Sequence, residues 1–107
     1  MRRTGVPLIA SIASMLAACA QPPRGFESPV PSERVKAATA AADRGDASAI
    51  PDLIRMLESD DPLVRMTSIR ALERLTGRTL GYEHSAPEPQ RQEAIARWVA
   101  WYNEREG

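Results

Sequence analysis

From residue 32 onward, apolar side chains recur with a helical period, and the runs between them carry proline, glycine or aspartate. Ile50, Leu53, Ile54 and Leu57 stand at i, i+3, i+4 and i+7, one stripe of an amphipathic helix. The same spacing returns at Ile95, Trp98, Val99 and Tyr102. Between them, Val64, Ser68, Ala71, Leu72 and Leu75 form another stripe, widened by Leu63, Met66 and Ile69. A thinner face is offered by Val35, Ala38 and Ala42, in a run rich in helix-favouring alanine. The pattern predicts helices over 32–43, 46–58, 61–76 and 88–105. No strand signal of comparable strength appears, so the fold class is all-α.

End signals agree with this division. Ser32 follows Pro31 as an N-cap candidate, and Gly45 stops the first helix. Asp46 opens the second, with Pro51 in or just past its first turn. Asp61 caps the third, Pro62 takes its first position, and Gly77 ends it. Arg65, Arg70, Glu73 and Arg74 are expected to face water. In the fourth, Glu88 and Glu93 lie early and Arg97 and Arg105 late, as the helix dipole favours.

The N-terminal region follows a different pattern. Arg2 and Arg3 precede an apolar, small-residue stretch from Val6 to Ala18, too short for a membrane span of about 20 residues. It ends Leu16-Ala17-Ala18-Cys19, which resembles the lipobox of bacterial lipoproteins. The resemblance implies a cleaved signal peptide over 1–18 and a diacylglyceryl group on the Cys19 thiol. Several acyl chains together, at about 0.8 kcal/mol per buried methylene, anchor stably. Ala20, where an aspartate would resemble the inner-membrane retention signal, favours the outer membrane of a diderm host. Thr4-Gly5-Val6-Pro7 lacks the apolar pair of a twin-arginine signal. Pro22, Pro23, Pro29 and Pro31 make residues 19–31 a semi-extended tether. Phe26, its one sizeable apolar group, is expected to be solvated.

Residues 46–77 resemble a HEAT repeat. The carrying segments are Ala49-Ile50-Pro51-Asp52-Leu53-Ile54-Arg55-Met56-Leu57, then Ser59-Asp60-Asp61-Pro62-Leu63-Val64-Arg65, then Ile69-Arg70-Ala71-Leu72-Glu73-Arg74-Leu75. They match an A helix carrying a proline, a turn with aspartate, a Val-Arg pair opening the B helix, and an Ala-Leu close. The resemblance implies a short α-solenoid of antiparallel helix pairs over 32–107, with Pro51, Asp61, Val64 and Arg65 as repeat positions. It extends more weakly to the first helix, similar to the B helix of a truncated preceding repeat. The stretch from Thr76 to the Trp98 helix is similar to a closing cap. In that family Asp61 and Arg65 would ladder with neighbouring repeats; the alternative is an N-cap and a solvated side chain. Solenoids need about three repeats to bury a continuous core, and at most two are present, which favours a partner or self-association.

Composition removes several function classes. Formal net charge is zero, and without Arg2 and Arg3 the remainder carries twelve basic and fourteen acidic side chains. That balance lacks the basic surplus of a nucleic-acid binder. Lys36 is the one lysine among fourteen basic residues, a skew of genome composition rather than chemistry. A lone cysteine precludes an internal disulfide, and a lone histidine precludes a multi-histidine metal centre. Glu83, His84 and Ser85 place acid, imidazole and hydroxyl side by side, but sequence neighbours rarely converge as a hydrolytic site requires. Trp98 and Tyr102 share the buried stripe and read as core rather than a cation cage. Trp101 lies about 60° from its centre at roughly 100° per residue, a better contact candidate.

The sequence thus describes a non-enzymatic, membrane-tethered adaptor holding an envelope protein, with Arg65, Arg70, Arg74 and Trp101 as the candidate face. No cofactor, metal or nucleic acid is expected. A self-associating structural lipoprotein is the alternative, and a small hydrolase at Glu83/His84 the weakest reading.

Overall fold

The computed structural model describes residues 24–106; the leader, Cys19 and the rest of 1–23 lie outside them. Among the described residues the fold is all-helical: α1 (Pro31–Arg44), a 3-10 turn (Ala47–Ala49), α2 (Ile50–Met56), α3 (Pro62–Thr76) and α4 (Glu88–Glu106). The four helices sit where the hydrophobic period placed them. Beyond shifts of one or two residues, two departures stand out, both because of proline.

Pro31, not Ser32, begins α1. A proline at the first helical position forfeits an N–H that has no partner anyway. Val30 becomes the N-cap, with no side-chain cap bond, and Ser32 is exposed within the first turn. Gly45 closes α1 at φ 66°, while Gly45 N–H donates to Ala42 O and Asp46 N–H to Ala41 O. The helix expected over 46–58 is divided. Pro51 cannot donate to Ala47, and its ring crowds that carbonyl, so the chain makes a 3-10 turn before α2 starts. α3 follows its signals: Asp61 accepts from Leu63 N at 2.8 Å and Val64 N at 3.2 Å. Gly77 ends it at φ 77°, donating to Glu73 O.

The helices form two layers. α1 lies beside α3, α2 packs on α3 as an antiparallel hairpin, and α4 packs on α2. Arg74 reaches Asp43, and Arg70 shares a groove with Thr39. Both pairs have the same offset, so α1 and α3 run parallel. Ile50, at the start of α2, shares a groove with Tyr102 and Arg105 near the end of α4. Leu57, just past α2, accepts from Tyr82 Oη, ahead of α4. α4 is therefore antiparallel to α2. Leu53, Leu57, Val64, Leu72 and Trp98 are fully buried between the layers, each contributing about 1.5–3 kcal/mol.

The folded body begins earlier than the tether reading indicates. Phe26 is not solvated; it is 8% exposed and belongs to the core. Gly25 turns at φ 94° against α1, where a Cβ would stand 3.2 Å from Ala37 Cβ. Arg24 donates to Asp52 at 3.0 Å and to Asp46 at 3.3 Å, and its guanidinium stacks 5.1 Å from the Phe26 ring centre. Arg34 donates to Ser28 O. Residues 24–28 thus form a strap touching both α1 and α2, beside two open grooves of about 590 and 600 Å³.

At the other end, residues 77–87 run back along α4 before the chain reverses into it. Trp98 Nε1 donates to Thr79 O at 2.9 Å, and Arg97 Nε to Leu80 O at 2.8 Å. This loop shifts the buried arc of α4. Ala94, Ile95 and Trp98 are buried, with Trp101 and Tyr102 packed beside them, while Val99 is 45% exposed. Val99 sits about 100° round the helix from Trp98, on the side away from the loop.

Candidate interaction surface

The repeat positions are occupied by side chains that serve the fold. Pro51 is in the first turn of α2, Asp61 caps α3 through two backbone N–H groups, and Val64 is fully buried. Arg65 does not face water. Half-buried, it donates to Ser59 O at 2.9 Å, Asp60 O at 3.2 Å and His84 O at 3.0 Å. One guanidinium thereby ties the α2–α3 turn to the loop before α4, using the planar fork that lysine lacks.

Arg70 and Arg74 stand on the outer side of α3, one turn apart and exposed. They border a groove of about 270 Å³ between α1 and α3, with Thr39, Met66 and the buried Ala42 and Ala71. Arg74 is paired with Asp43 at 2.9 Å, both side chains more than half exposed. Arg70 has no ion-pair partner among the described residues. Trp101 lies apart from both, in the α4 layer. Its ring meets Trp98 edge-on at 5.4 Å, and Arg105 covers it at 5.0 Å. The four residues proposed from sequence therefore divide three ways: Arg65 is an internal tie, Arg70 and Arg74 line one groove, and Trp101 is a partly covered aromatic elsewhere.

The loop trio is not assembled. No side-chain hydrogen bond joins Glu83, His84 and Ser85, and His84 Nδ1 is buried without a partner. Tyr82, in the same loop, is buried with its hydroxyl donating 2.7 Å to Leu57 O; burial raises its pKa. Asp46 shows the opposite behaviour, its pKa lowered mainly by the Ser48 hydroxyl, which donates at 2.6 Å. Among the described residues, no three His, Cys, Asp or Glu side chains are grouped to hold a metal ion.

The order of elements, a helix parallel to the second member of an antiparallel pair, is that of a repeat stack entered part-way through a repeat. The family profile described as HEAT repeats matches residues 25–96. The chain belongs to the HEAT-repeat family. No curated protein and no solved structure gives a match. The match begins at Gly25, so all of the strap except Arg24 lies within the matched HEAT-repeat region. In HEAT terms α2 and α3 are the A and B helices of one repeat, and α1 is the B helix of the repeat before. HEAT repeats are helical protein-interaction modules and typically non-catalytic scaffolds.

Sequence reasoning missed Arg24, Phe26, Tyr82 and Arg97. None lies on a helical stripe at a matching period, so periodicity carries no signal for them. The family match to residue 25 is the one sequence-level sign that the strap is part of the body.

Proposed function

We propose that this HEAT-repeat chain is a lipid-anchored adaptor of the bacterial cell envelope, binding a protein partner through a side face of its helical stack. The observation that carries the binding reading is the closure of both ends. The strap occupies the slot on α1 and α2 that a preceding A helix would fill, with Phe26 buried in it. The 77–87 loop and α4 cover the other end through Tyr82 and Trp98. A stack that caps itself has little need of a second copy, which counts against the self-associating alternative. The side faces remain, and on one of them Arg70, without an ion-pair partner among the described residues, stands beside an apolar groove floor.

Support for the anchor comes from Leu16-Ala17-Ala18-Cys19. Five residue steps separate Cys19 from Arg24, a reach of at most ~18 Å. A lipid on Cys19 would therefore hold the strap, α1 and α2 near the bilayer rather than on a long spacer. In a diderm host, Ala20 after the cysteine favours the outer membrane, facing the periplasm.

Two measurements test this reading. Labelled fatty acid should enter the wild-type chain, and Cys19→Ala should abolish labelling and move the protein to the soluble fraction. A Cys19→Ala chain still acylated and tightly bound would end the lipoprotein reading. Capture from gently solubilised membranes should recover one envelope protein in stoichiometric amount, with the chain itself monomeric. Recovery of the chain alone, at a size that changes with dilution, would favour self-assembly.

A further inference from the structure

We propose that the groove between α1 and α3 receives an acidic segment of the partner protein, with Arg70 pairing one of its carboxylates. This rests on the adaptor reading and names the chemistry of its partner. Arg70 is exposed and has no ion-pair partner among the described residues, whereas Arg74, one turn on, is engaged by Asp43. The groove floor beside them is apolar, made of the buried Ala42 and Ala71 with Met66 along one wall. Met66 is unbranched and adapts its shape to what lies against it. Thr39, exposed across the groove from Arg70, offers a hydroxyl donor for a second carboxylate oxygen. Thr67, also lining the groove, donates its hydroxyl to Leu63 O of its own helix.

The arrangement fits a carboxylate next to a small apolar side chain. The guanidinium fork matches a planar carboxylate bidentately, and about 270 Å³ of groove accommodates a short side chain beside it. Leu63, 52% exposed on the same outward side of α3, extends the apolar contact toward the start of the helix. A uniformly anionic bilayer fits less well. Asp43 and the exposed Glu73 flank the two arginines, so a sheet of negative charge would be repelled where a single carboxylate, placed at Arg70, is not.

The test is fluorescence anisotropy of a fluorescein-labelled peptide carrying one glutamate beside a leucine in an otherwise uncharged sequence, with the purified full chain, beside its glutamine-for-glutamate analogue. The acidic peptide should bind more tightly than the analogue, and the difference should shrink as salt rises. Arg70→Glu should weaken the acidic peptide roughly tenfold or more while the helical circular dichroism is unchanged. Arg70→Lys, which keeps the charge and loses the fork, should fall between. Arg55→Gln, an exposed arginine of α2 outside this groove, should bind as wild type. Equal binding of the two peptides, or no effect of Arg70→Glu, would overturn the proposal. So would Arg70-dependent binding to phosphatidylglycerol vesicles without binding of the peptide, which would assign the face to lipid. An envelope partner captured equally by wild type and Arg70→Glu would keep the adaptor reading and remove this groove from it. Peptide binding with no partner captured would do the reverse.

Discussion

Tyr82 shows what a single residue outside the periodic pattern contributes. Its ring is buried and its hydroxyl donates to Leu57 O, fastening the loop before α4 to the end of α2. Burial disfavours the phenolate, so the folded-state pKa is raised above the ordinary 10.0. A raised acid pKa means that the folded state holds its proton where the unfolded state has lost it. The stabilisation is complete below pH about 10 and is lost as pH rises through the folded-state value. Urea unfolding from pH 7 upward should therefore show constant stability and then an alkaline decline. Tyr82→Phe should lose about 1 kcal/mol at neutral pH, for the hydrogen bond, and flatten that decline. A decline of the same size in the variant would place its cause elsewhere. Arg65 and Asp61 teach a related lesson: each was legible as a repeat position, but the carbonyls Arg65 serves follow only from the path of the loop.

At the scale of elements, α2 and α3 are the part most completely written in the local sequence. Asp61 and Pro62 start α3, Gly77 ends it, and the i, i+3, i+4, i+7 stripes are buried as spaced. The strap is the reverse case. Prolines and glycine exclude helix between Gln21 and Val30, yet exclusion of helix says nothing about burial. Phe26 is core because α1 and α2 leave a slot beside Met56 that its ring fills. Phe26→Ala should cost about 3 kcal/mol, at the low end for a buried aromatic because the strap is at the edge of the body. It should also free the strap, so trypsin should cut after Arg24 faster than in wild type at temperatures well below unfolding. Unchanged cleavage would mean that the Arg24 ion pairs hold the strap by themselves, contrary to their exposure.

For the whole molecule, the question raised by so few repeats is how a short stack covers its core. The answer is two unlike caps, an extended strap at one end and a returning loop with an antiparallel helix at the other. Deleting residues 88–107 should uncover the apolar side of α2 that Ala94, Ile95 and Trp98 occupy. Light scattering of the truncated chain should show concentration-dependent association, while the intact chain stays monomeric. A truncated chain that remained monomeric and folded would show that α4 is dispensable as a cap, and would return attention to it as a binding element. The proposed interaction face is also decided at this scale. Arg70 and Arg74 look alike in sequence, but Asp43 on the neighbouring helix engages one and leaves the other unpaired.

The sequence by itself determined the helix count, the buried stripes of α2 and α3, the caps of α3 and the family. Each depends on residues within a few positions of one another, where helical geometry fixes which side chains share a face. It also contains the whole case for lipid on Cys19, since that case rests on a local motif. Tertiary structure decided the burial of Phe26, the exposure of Val99 and the direction of α4. It likewise gave Arg65 its internal role and left Arg70 unpaired. Those depend on contacts between residues some twenty or thirty positions apart, where no local period carries information. What settles them is which surface the folding chain leaves open and which segment is long enough to cover it.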